Sequence, residues 1–236
     1  MKITGLQKMT LLDYPGRIAC TVFLQGCNFR CPFCHNSDLL PPEGETAISV
    51  EELLSFLKKR RGMLDGVCIT GGEPTVQKDL PQLLRAIKAL GYSVKLDTNG
   101  TNPAMLKALV QEGLVDYVAM DIKNSPAKYP RTSGVPGLNL QKVEESMTFL
   151  LAGGLDYEFR TTVVRELHEA EDFREIADWI RFLGSGRRAK RFFLQRYVDR
   201  DSVLCPGYSA PEDAETASFL EAIAPAAEYA RIRGEE

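Results

Sequence analysis

The sequence predicts an α/β protein, an open, partial (β/α)6 barrel with parallel strands. Short apolar runs of strand length alternate with stretches of helical period six times along the chain. That alternation implies parallel strands joined by right-handed crossovers. The chain has 236 residues, whereas a complete eight-unit barrel takes about 250. The least ordinary segments, "QGCNFRCPFCHN", "TGGEP", "LDTNG" and "MDIK", each follow one of four successive strands. In parallel α/β folds ligands bind beyond the C-terminal strand ends.

The elements follow in order. "IACTVFLQG" (Ile18 to Gly26) is nearly continuous in apolar residues and reads as a buried strand. "SVEELLSFLKKRRG" (Ser49 to Gly62) opens on an N-cap serine and carries Val50, Leu53, Leu54 and Leu57 on one face. Its basic end suits the helix dipole, so "KKRR" (Lys58 to Arg61) reads as structural. Strand "GVCIT", helix "DLPQLLRAIKALG", strand "YSVKLDT", helix "NPAMLKALVQEG" and strand "VDYVAMDI" come next, with Pro103 at a first helical position. Helix "NLQKVEESMTFLLAGG", strand "YEFRTTVV", helix "EDFREIADWIRFLG", strand "RFFLQRYV" and a last helix from Pro211 to Ala227 complete the series. With neither internal repeat nor low-complexity linker, residues 1–236 read as a single domain.

The hydrophobic share is 44%, and 29 Lys and Arg face 32 Asp and Glu, a net charge of −3. This balance gives no reason to expect nucleic acid or a membrane as partner. The basic loop "RRAKR" (Arg187 to Arg191) reads as a solvated turn. The start lacks the pattern of a secretory signal, and no run approaches eighteen apolar residues. A soluble, cytoplasmic protein is expected.

Six cysteines are too few for a disulfide scaffold of this length. Cys20 and Cys68 sit in strand-like runs as small buried hydrophobes, while Cys205 is loop-borne and unexplained. The other three, Cys27, Cys31 and Cys34, fall in one loop, residues 26–36. A structural zinc site closes with four ligands. His35 makes a Cys3His site conceivable, but adjacent residues rarely both reach one tetrahedral ion. Iron–sulfur clusters take cysteine thiolates, ordinarily four. A trio would leave one iron open to an external ligand, as catalytic metal centres do.

Cys27-x3-Cys31-x2-Cys34 resembles the signature of the radical S-adenosylmethionine (SAM) enzymes. The resemblance implies that these cysteines are metal ligands and catalytic, holding a 4Fe–4S cluster whose fourth iron is chelated by SAM. "TGGEP" (Thr70 to Pro74) resembles the family segment that contacts the methionine amine through Gly71, Gly72 and Glu73. Close backbone approach to a ligand explains such glycines. From "GLQKMTLLDYPG" to "MDIK" the chain is most similar to the glycyl-radical-enzyme activases, above all the anaerobic ribonucleoside-triphosphate reductase activating group. That implies cofactor contacts at Phe33, packed near the adenine, Cys34, His35, Gly72, Asp121, Ile122 and Lys123. Asp97, Thr98 and Asp121 match positions that bind a monovalent cation in related activases. Oxygen ligands suit a hard cation. The pattern departs at "FFLQRYVD", where some activases carry a cofactor-contacting histidine, and Gln195, Arg196 or Tyr197 is expected to serve instead. Arg160 points to the same rim, and His168 reads as a surface-loop histidine.

The implied reaction is one-electron reduction of a single cluster by a donor such as flavodoxin or ferredoxin, cleavage of SAM to methionine and a 5′-deoxyadenosyl radical, and hydrogen abstraction from a glycine of a partner glycyl radical enzyme. The alternatives are activation of another such enzyme, for instance pyruvate formate-lyase, a small-molecule radical enzyme such as a carboxy-deazaguanine synthase, or a zinc-binding interaction module.

Overall fold

A computed structural model describes residues 1–41, 43 and 45–234. The expected α/β class with parallel strands is observed. The chain forms two compact units. The first comprises Met1–Asn28, Asp38–Thr98 and Ala104–Ala119, and the second Phe29–Ser37, Asn99–Pro103 and Met120–Glu236.

In the first unit lie strands β1 (Ile3–Thr10), β2 (Ala19–Leu24), β3 (Gly66–Gly71) and β4 (Ser93–Thr98), with helices α1 (Val50–Lys59), α2 (Leu80–Ala89) and most of α3 (Pro103–Gln111). Strands β2, β3 and β4 pair in parallel, with Cys20 opposite Val67 and Cys68 opposite Lys95. Val22, Leu24, Val67, Ile69, Val94 and Leu96 are fully buried, which explains why these strands read as apolar runs. Ser49 caps α1 as expected: its hydroxyl accepts from Glu52 N at 3.1 Å, and its own N–H donates to the Glu52 carboxylate at 2.8 Å. Pro103 is the first residue of α3.

Strand β5 (Tyr117–Asp121) runs from the first unit into the second. The second holds α4 (Tyr129–Ser133), α5 (Leu140–Leu151), β6 (Asp156–Val163), α6 (Ala170–Leu183), β7 (Ala189–Arg196), α7 (Asp213–Ile223) and β8 (Ala227–Ile232). β6, β7 and β8 pair in parallel. Helices α6 and α7 meet through Phe173 and Phe219, stacked at 4.9 Å.

Three elements correct the expectation. β1 pairs antiparallel with β2, so the strands are not all parallel, and its register is interrupted twice. The last helix ends at Ile223 instead of Ala227 and gives way to a short 3-10 turn and β8. Pro225 lies in that turn and cannot supply the N–H a continuing helix needs. α4 is the third, a five-residue helix ended by Gly134 in the left-handed conformation. Among the described residues no helix is long and apolar enough to cross a membrane.

Candidate active site

In the first unit, three of the motifs converge on the exit of β2. Gly26 N donates to Leu39 O at 2.7 Å and Cys27 N to Leu40 O at 3.2 Å, which pins the start of the cysteine loop. The Gln25 side chain adds bonds to Asp38 O and Pro41 O. Glu73 N then donates to Gly26 O at 2.8 Å, and Gly72 N to Leu24 O at 2.9 Å. The "TGGEP" main chain therefore lies against the residue preceding Cys27. A Cβ on Gly71, where φ is +122°, would sit 2.3 Å from Leu24 N and O, and one on Gly72 would sit 2.1 Å from Gly26 O. The glycines are required by the neighbouring strand, which differs from the ligand-approach reason drawn from sequence.

Glu73 is 1% exposed. One carboxylate oxygen accepts from Thr75 N at 3.0 Å, Thr75 Oγ1 at 2.5 Å and Thr98 Oγ1 at 2.8 Å. Buried charge is tolerated only when hydrogen-bonded or paired in this way. Glu73 is thus joined to the end of β4, where Thr98 follows Asp97. Asp97 is held by the ammonium of Lys95, two positions back on the same strand face and itself fully buried. The Cys68 thiol lies 3.8 Å from both groups. Neither Lys95 nor Thr75 was expected at the site. A lysine between Val94 and Leu96 in an otherwise apolar strand was the available signal.

In the second unit, the middle of the cysteine loop is held from two sides. Arg30 N donates to Ser133 O at 2.9 Å, and Phe29 packs edge-on against Tyr129 at 6.5 Å. Cys34 N donates to Cys31 O at 3.0 Å, closing a tight turn. From the other side, the segment after β7 returns: Cys205 N donates to Pro32 O at 2.8 Å, Leu204 N to Cys34 O at 3.2 Å and Ser202 Oγ to His35 O at 2.6 Å. Cys205, unexplained by sequence, lies on this clasp, and its thiol is exposed. Of the three candidates for the missing histidine, Tyr197 meets the loop, its ring 5.1 Å from that of His35, whereas Arg196 pairs with Asp213 at 2.9 Å. Phe33 is buried. Nε2 of His35 is buried without a hydrogen-bond partner, and burial lowers the imidazole pKa.

At the end of β5, Asp121 receives Arg160 Nε at 3.0 Å and Lys123 Nζ at 2.9 Å. Every main-chain carbonyl of the segment is engaged. Tyr129 donates to Asp121 O at 3.4 Å, Thr161 Oγ1 to Ile122 O at 2.7 Å, and His168 Nε2 lies 2.9 Å from Lys123 O. His168 is therefore not a surface residue, as expected from sequence, but 2% exposed. Burial works against the Lys123 charge, yet Asp121 and the Cys31 thiol more than offset it, so its pKa is raised. Burial pushes the Cys31 thiol up to about 11, with Lys123 acting in the opposite sense.

Among the described residues no three His, Cys, Asp or Glu side chains form a preassembled metal cage. The donor chemistry nevertheless suits an iron–sulfur cluster. A thiol kept protonated by burial becomes a stable thiolate once a metal neutralises it. The unsatisfied His35 nitrogen, adjacent to Cys34, is a polar group suited to a bound nucleotide.

Comparison with known proteins agrees with this chemistry. Residues 21–180 match the family described as the Radical SAM superfamily. A Methanocaldococcus jannaschii protein named as a glycyl-radical enzyme activating enzyme is 34% identical over 188 residues, 76% of this chain and 75% of the relative. A 7-carboxy-7-deazaguanine synthase of Hyperthermus butylicus is 32% identical over 175 residues, 74% of this chain and 67% of the relative. Among solved structures, Streptococcus suis SuiB bound to S-adenosylmethionine superposes with a TM-score of 0.67 at 16% identity, covering 89% of this chain and 51% of SuiB. That last likeness is one of fold.

Proposed function

The chain belongs to the radical SAM superfamily, and from that premise we propose that it is a glycyl-radical-enzyme activase whose partner is an anaerobic ribonucleoside-triphosphate reductase. The observation that carries the proposal is the bond from Glu73 N to Gly26 O at 2.8 Å, which seats the "GGE" turn beside Cys27. The activating-enzyme relative at 34% identity supports the same reading. Cys27, Cys31 and Cys34 would hold three irons of a 4Fe–4S cluster, leaving the fourth for SAM. When bound, this pair supplies reductive cleavage of the sulfonium and so a carbon radical for hydrogen abstraction.

The chain's own residues bind and orient. The Glu73 carboxylate, held by Thr75 and Thr98, would accept from the methionine ammonium beside Gly71 and Gly72. His35 offers its unsatisfied nitrogen, and Phe33 an apolar face, to the adenosine. Lys123 and Arg160 hold Asp121, so that Asp121 and Ile122 would present a fixed edge to the cofactor. The electron would come from a flavodoxin or ferredoxin.

The test is anaerobic reconstitution with iron and sulfide, reduction, and incubation with SAM and a reductase carrying the glycyl-radical segment. The expected result is an electron paramagnetic resonance doublet on the partner, with one methionine released per radical formed. Cleavage of SAM with no partner radical would overturn the proposal. The synthase relative at 32% identity favours a second reading, a small-molecule radical enzyme. It would be upheld if a small-molecule substrate, and no protein, were consumed.

A further inference from the structure

Lys95 is 0% exposed, with its ammonium against Asp97 and 3.8 Å from the Cys68 sulfur. Lysine is almost never fully buried unless paired. The strand geometry explains the pairing, because residues two apart share one face of β4. The same arrangement recurs in the second unit, where Asp121 receives both Lys123 and Arg160. Each of these two carboxylates thus already carries positive charge supplied by the chain. A metal cation at Asp97 would have to displace an ammonium tethered two residues away, or share the carboxylate with it at a repulsive distance.

We infer that Lys95 is a built-in counter-ion for Asp97, taking the place of a monovalent metal ion, so that the protein reaches its competent state without potassium or sodium. Lys95 acts as a positioning residue: it fixes the Asp97 carboxylate, and through the end of β4 the Thr98 hydroxyl that holds Glu73. The half-buried Asp97 carboxylate, 16% exposed, would seek another cation if it lost this partner.

The relevance to cofactor binding rests on the proposed function, but the cation replacement does not, so the first test uses the metal-free chain. Thermal unfolding is compared in potassium, sodium and tetramethylammonium chloride at equal ionic strength. The wild-type midpoint should agree among the three salts to within about 1 °C. Lys95→Met should melt lower and recover roughly half or more of the loss in potassium or sodium, but not in tetramethylammonium. Lys95→Arg should remain indifferent to the salt. Selective stabilisation of the wild type by potassium or sodium would overturn the inference, as would a folded Lys95→Met with no selective response.

If Lys95→Met does not fold, the double variant Lys95→Met/Asp97→Asn decides. Recovery of folding without a cation response supports a charge role, and failure to recover means Lys95 serves packing alone and sinks the idea. SAM affinity of the reconstituted enzyme, measured in the same salts, should be equal in all three. Absence of SAM binding in every salt would count against the proposed function and leave the Lys95 result standing.

Discussion

His168 Nε2 lies 2.9 Å from the main-chain carbonyl of Lys123, joining the segment after β6 to the end of β5. Its other ring nitrogen, Nδ1, accepts from Val164 N at 3.1 Å and lies 3.1 Å from Val164 O. Removing the ring would orphan a buried carbonyl and leave a void. His168→Ala should therefore cost about 2–3 kcal/mol, read as a fall of roughly 5–10 °C in Tm. An unchanged midpoint would show that water replaces the ring at no cost.

The same burial sets a pH dependence. His168 and His35 both have pKa values lowered from 6.5 by desolvation. The unfolded chain then binds more protons than the folded one just below pH 6.5, so stability rises with pH there. Tm should be level above about pH 7 and fall as the solution is acidified through the ordinary histidine range. His168→Ala should flatten part of that slope.

Gly71 and Gly72 have no room for a methyl group, and the first also needs a positive φ. Gly71→Ala should destabilise by about 3 kcal/mol or more, because the added carbon meets main chain that cannot step aside. Gly91, also at positive φ but with open space at its Cβ, is the control. Gly91→Ala should lose only about 1 kcal/mol. Equal urea midpoints for the two variants would refute the steric account.

Glu73→Gln keeps an acceptor for Thr75 and Thr98 while removing the charge. Its stability should shift little, whereas SAM affinity should drop about 10–100-fold, the worth of a charged hydrogen bond. Calorimetric titration checks this, and undiminished affinity would remove Glu73 from the cofactor site.

Cys31 is 6% exposed and its thiol is pushed up to about 11, whereas Cys205 is exposed. In the metal-free protein, iodoacetamide should label Cys205 at least about ten-fold faster than Cys31, since only the thiolate reacts. Peptide mass spectrometry at timed quenches provides the rates.

The six central strands were legible because burial on both faces leaves apolar runs that periodicity detects. β1 was not, because "ITGLQKMT" is half-exposed and interrupted by Gly5. β8 was hidden behind Pro225 and a short run, "AEYARI", with only its ends buried. The local motifs pointed to the cysteine loop, Glu73, Asp97 and Asp121. Lys95, Thr75 and Lys123 lie only two positions from the carboxylates they hold, whereas the other partners were not legible because they are distant in sequence. Thr98 reaches Glu73 across 25 positions, Arg160 reaches Asp121 across 39, and His168 reaches Lys123 across 45. His168 was misread for this reason: its surroundings, "RELHEA", are polar in sequence, and the burying contacts come from elsewhere.

The clasp from Ser202 to Cys205 has a consequence for biosynthesis. Ser202 bonds His35 O across 167 positions, so a nascent chain exposes "CPFCH" long before its fastener is translated. Loading of iron before that point would meet a half-anchored hairpin. The two halves of this clasp are thus made 167 positions apart, and the cysteine loop stays open on one side until the second half has emerged.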